Sequence, residues 1–153
     1  MHDHLAGSVH AIDLLRAIRD QQAGKALGQF AANLLPPIEA DRDTLRGLAN
    51  RTGVGSSAIK EMGARFEEKG SRLKLRDLDR DSPGTFEALE FLQLGIHGKG
   101  ALWSALVLVA AGEQRLSGID FGALSDRSEA QEMALEEWRL KMAVAFCGAR
   151  SAA

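Results

Sequence analysis

The residues that could do chemistry stand in two short strings of the same form. "EADR" carries Glu39 and Arg42, and "EEWR" carries Glu136 and Arg139. On a helix, i, i+3 spacing puts both side chains of each pair on one face. A carboxylate-bridged di-iron site uses that spacing as Glu-x-x-His. Arginine stays protonated and has no lone pair to give a metal. Two Glu-x-x-Arg pairs therefore point to charge pairing. Both arginines fall in apolar stripes, where a charge must be paired or is very costly. With Glu132 in the stripe of Arg139, and with Glu90, they predict a polar core cluster of Glu39, Arg42, Glu90, Glu132, Glu136 and Arg139. The competing reading sends these side chains to the surface or into exposed i, i+3 and i, i+4 pairs. No cofactor is expected; the alternative is iron or manganese on Glu39, Glu90 and Glu136.

A third string, "GIHGKG" (residues 95–100), invites comparison with a phosphate loop. A Walker A loop needs Ser or Thr after the lysine, a preceding strand and a following helix. Here Gly100 follows Lys99 and the apolar pattern continues on both sides. Read as helix, Gly95 and Gly98 lie near one face, where they would let a neighbouring backbone approach closely and so offset their cost. Glu90, Gln93, His97 and Ser104 form a narrow polar strip on the same helix. Glu90 and His97 are roughly 10.5 Å apart along the axis, too far to share one ion. The strip either faces solvent or lines the bundle interior. His2, Asp3, His4 and His10 read as a terminus and helix cap, with Asp13 a weak candidate ligand. No Ser/His/Asp or Cys/His arrangement stands out. Cys147 is the lone cysteine, which rules out an intrachain disulfide and a cysteine zinc cluster; it reads as a small core residue.

The elements that must position these residues are almost all helices. There is no sustained period-2 alternation, no tyrosine, and few β-branched residues. A length of 153 residues suits one domain with its own core. Asp3 caps a helix over 3–22, with Leu5, Val9, Ile12 and Leu15 on one side and Gly24 past its end. Leu27, Ala31, Leu34, Ile38, Leu45 and Ala49 keep one phase across Pro36 and Pro37, so 25–52 reads as one helix kinked at the prolines. "TGVGSS" is a turn into a short helix over 57–73. Ser82 and Pro83 open a helix over 83–111. The last covers 120–147, with Phe121, Leu124, Leu135, Trp138, Met142 and Phe146 on one stripe, and "GARSAA" frayed beyond it. Short loops make each long pair an antiparallel hairpin. The long middle connection predicts a ferritin-like four-helix bundle with one crossover.

A net charge of −2 gives no whole-chain case for nucleic acid or anionic membrane. The start lacks a basic segment followed by an apolar block, and "ALWSALVLVAAG" is shorter than the roughly 20 residues of a membrane span. A soluble cytoplasmic protein with no membrane partner is the expectation.

"LANRTGVGSSAIKEMGARFEEKG" (residues 48–70) resembles a DNA-binding helix-turn-helix, with Ser56, Ser57 and Lys60 toward bases and Arg65 toward phosphate. Glu61, Glu67 and Glu68 oppose phosphate binding, which leaves DNA regulation a second alternative. Over most of the chain, "DHLAGSVHAIDLL", "IEADRDTLRGL", "LGIHGKGALW" and "SEAQEMALEEWRLKMA" resemble a group of small bacterial proteins of unknown function in the ferritin-like superfamily. That resemblance implies a four-helix bundle, often a dimer; Arg42 and Arg139 depart from its usual di-iron pattern. The overall expectation is a non-catalytic bundle acting by self-association, as a homodimer, or by binding an unidentified protein. The alternative is a metal-binding oxidase or store.

Overall fold

The computed structural model describes residues 2–53, 78 and 82–150, with side chains between 4 and 145. Four helices make the fold: α1 (His2–Gln21), α2 (Ala26–Thr52), α3 (Pro83–Ala110) and α4 (Phe121–Arg150). A 3-10 turn, Gln114–Leu116, joins α3 to α4, and the described residues contain no strand. The predicted helix over 57–73 lies outside the described residues. So do Ser56, Ser57, Lys60 and Arg65 of the helix-turn-helix reading.

Local signals explain the boundaries. The Ser82 hydroxyl accepts the Thr85 N–H at 3.2 Å, and Pro83 opens α3. Gly53 closes α2 in the left-handed region at φ 71°. α2 continues through Pro36 and Pro37. Pro36 is exposed and Pro37 half-buried, while Leu34, Leu35 and Ile38 are buried beside them. The missing backbone donors thus lie away from the core, and packing of the inner face holds the helix together. α4 ends later than expected: Gly148, Ala149 and Arg150 are helical rather than frayed.

The core falls into two clusters. Leu5, Leu45, Leu48, Trp103, Leu106, Phe121 and Leu124 meet at one end of the bundle. Ile12, Leu15, Leu27, Leu34, Leu89, Leu92, Leu135 and Met142 fill the rest. α1 and α4 therefore start, and α2 and α3 finish, at the same end. α1/α2 and α3/α4 are antiparallel hairpins, and α2 runs parallel to α3. Leu78 belongs to the second cluster, at the opposite end from Gly53. The Gln22 amide donates to its carbonyl, and its N–H donates to Gln21 Oε1 at 3.2 Å.

Among the described side chains one predicted core residue is misplaced: Val9 is 50% exposed, and Ala11 and Leu14 fill the inner face of α1 instead; the side chains of Phe146 and Cys147 lie outside the described residues. α3 is also, by length and composition alone, the one helix among the described residues long and apolar enough to cross a membrane. A reading by uninterrupted apolar runs missed this.

Candidate functional site

Buried charge lies inside two of the strings that the sequence singled out, on the residues passed over there: Asp41 of "EADR" and Lys99 of "GIHGKG". In α2 the buried inner face steps through Leu34, Ile38, Leu45 and Leu48, and Asp41 fills the missing turn. In α3 it steps through Leu92, Ile96, Trp103 and Leu106, and Lys99 fills the gap. In α4, Ser128 and Gln131 stand between Leu124 and Leu135. All of these gaps fall at one level, between the two hydrophobic clusters. The bundle is thus crossed by a polar layer.

Asp41 is 1% exposed, and each of its carboxylate oxygens has its own cation. Lys99 Nζ donates to Oδ2 at 2.5 Å, and the Arg127 guanidinium donates to Oδ1. Lys99 also donates to Gln131 Oε1 at 2.5 Å. Burial pushes the Lys99 ammonium below its ordinary pKa, and Asp41 opposes that shift. The layer joins α2, α3 and α4, so it ties one hairpin to the other.

The predicted six-residue core cluster does not form. Glu90, Glu136 and Arg139 stay together, and the other three are spread over separate pairs; all reach solvent. Glu39 accepts from Arg16 at 2.7 Å. Arg42 pairs with its neighbour Asp43 at 2.8 Å. Glu132 meets His97 at 3.1 Å. Arg139 grips Glu136 with two bonds of 2.7 and 2.8 Å and reaches Glu90 at 3.6 Å. These two hydrogen bonds hold the Glu136 carboxyl below the usual carboxylate range and raise the Arg139 pKa. These positions flank the inner face instead of occupying it, and their long side chains reach outward from its edge.

The polar strip of α3 faces an open groove of about 940 Å³ against α4. Gln93, His97 and Ser104 line it with Ser125, Glu129, Glu132 and Glu136. Ser104 and Ser125 hydroxyls meet at 2.8 Å. The His97 side chain is 70% exposed, so the strip does not line the bundle interior. Among the described residues, no three His, Cys, Asp or Glu side chains converge as a metal site.

The glycines also differ from expectation. A Cβ on Gly95 would meet nothing within 4 Å, and one on Gly98 would make ordinary contact with His4 at 3.7 Å. The close approach is at Gly100, where a Cβ would come 3.3 Å from Ser128 Cβ. In "GIHGKG" the lysine and the last glycine, rather than the first two glycines, face the packed side.

Compared with known protein families, characterised proteins and solved structures, the chain matches none.

Proposed function

We propose that this chain is a cytoplasmic, non-catalytic, ferritin-like four-helix bundle that works by self-association as a homodimer. The observation that carries the reading is the outer surface of α3 and α4. Among the described residues, seven of the eight exposed large hydrophobic side chains are on this one hairpin: Leu94, Val107, Leu108 and Val109 on α3, and Met133, Leu140 and Val144 on α4. Single exposed leucines are ordinary; a concentration on one hairpin marks an interaction surface. The helix directions, with α2 parallel to α3, support the ferritin-like connectivity. The metal-binding alternative has less support. Glu39 accepts from Arg16, and Glu90 and Glu136 pair with Arg139, so ligation would break these pairs.

Light scattering across a concentration series tests the reading. The native protein is expected to be dimeric. Leu94→Glu with Leu108→Glu is expected to give a monomer of unchanged helicity. A native protein that stays monomeric at high concentration overturns the proposal. Stoichiometric iron or manganese in tag-free protein, purified without added metal, would restore the metal-binding reading.

A further inference from the structure

We infer that the cleft between the α1–α2 turn and α4 binds a small apolar molecule carrying one hydroxyl or N–H donor, of the kind a simple phenol represents. α2 touches α4 far less closely than either helix touches its own hairpin partner. The cleft beside the start of α2 has a volume of about 480 Å³, within the range of small-molecule sites. Leu27, Trp138, Met142 and Ala145 supply its apolar lining. Leu27 and Met142 are buried members of the larger hydrophobic cluster, so the cleft reaches the core. The Trp138 ring is held against Phe30, with centroids 5.7 Å apart. Lys25 and Lys141 also line the cleft, but both are exposed and solvated, so the site asks no charge of its ligand.

One buried polar group completes the lining. Gln22 is 0% exposed and borders the cleft. Its Nε2 donates to the Leu78 carbonyl, which fixes the orientation of the amide. Its Oε1 is buried and accepts from nothing among the described residues. Buried polar groups are rarely left so. A water molecule answers this poorly, because a buried water needs about two to four polar partners. Leu27 and Met142, the other buried residues of the lining, offer it no strong one. A molecule with one donor on an apolar body serves Gln22 Oε1 and fills the remaining space.

The cleft is separate from the proposed interface. Around α4, Trp138, Met142 and Ala145 lie on the opposite side from Met133, Leu140 and Val144. Self-association through the α3–α4 hairpin therefore leaves the cleft open.

The test titrates the full chain with p-cresol and with 4-methylanisole, which keeps the ring and methyl group but has no donor. Proton–nitrogen NMR spectra of labelled protein report where each binds. p-Cresol is expected to shift the Trp138 indole and Gln22 amide resonances, to leave the Trp103 indole in place, and to bind roughly tenfold tighter than the ether. Gln22→Leu removes the acceptor and should bring the two affinities together. Ala145→Phe fills the cleft and should abolish both titrations without loss of helicity. If Gln22→Leu fails to fold, the native comparison and Ala145→Phe decide the matter. Absence of a saturable shift with p-cresol, equal binding of the ether by the native protein, or undiminished binding by Ala145→Phe would overturn the inference.

Discussion

Asp41 holds two cations on one carboxylate, so the members of the polar layer respond differently to substitution. Asp41→Asn leaves Lys99 and Arg127 facing each other without a counter-charge. The expected loss is about 3–5 kcal/mol, typical of a broken buried pair. Lys99→Met leaves Asp41 paired with Arg127 and should cost clearly less. Urea unfolding of both variants checks this, and equal losses would contradict it. His10 offers a pH test at the same scale. Its pKa is lowered by burial, with Asp13 pulling the other way. Below the unfolded value of about 6.5 the unfolded chain takes up the proton first, so stability falls as pH drops from there toward the folded value. The ring packs edge-on against Phe91, so His10→Phe keeps an apolar filler there. Denaturation at pH 7.5 and 5.5 should show the native protein losing more stability than this variant.

At the scale of the element, glycines in similar helical strings have different jobs. A Cβ on Gly28 would lie 2.2 Å from the Gln22 carbonyl oxygen, a backbone atom that cannot move aside cheaply. Gly28→Ala should cost about 1–3 kcal/mol as overpacking. Gly95 has open space around it, so Gly95→Ala should gain about 0.5–1 kcal/mol from helix propensity alone. Thermal melts of the two variants should move in opposite directions. Helical spacing paired Gly95 with Gly98 as close-packing glycines; the rotation of α3 instead puts Gly100 against Ser128. The stripe of α2, by contrast, was legible through Pro36 and Pro37. Leu27, Ala31, Leu34, Ile38, Leu45 and Ala49 are all buried as their phase predicts.

Across the whole molecule, the outer surface of α3 and α4 is apolar among the described residues. The proposed association would bury the exposed apolar side chains of Leu94, Leu108, Met133 and Leu140. The dimer is therefore expected to persist from about 0.1 to 1 M salt, where screening would weaken an assembly held by exposed charges. Sedimentation at both salt levels checks this; dissociation at the higher level would shift the association to charge.

Periodicity alone determined the four described helices, their approximate ends and most of their inner faces, because each is a local property of spacing, capping and turn residues. It also contained the signal for the buried charges. Asp41 stands in phase with Leu34, Ile38 and Leu45, and Lys99 with Leu92, Ile96 and Trp103. The Glu-x-x-Arg strings drew the reading to their edges, where Glu39, Arg42, Glu136 and Arg139 flank the core. Which polar residue faces inward depends on a rotation of about 100° per residue. Only the packing of hairpins far apart in sequence decides that rotation. The meeting of Asp41 with Lys99 and Arg127 likewise rests on the register between α2, α3 and α4. That register is a tertiary quantity, set by how the two hydrophobic clusters close around the layer.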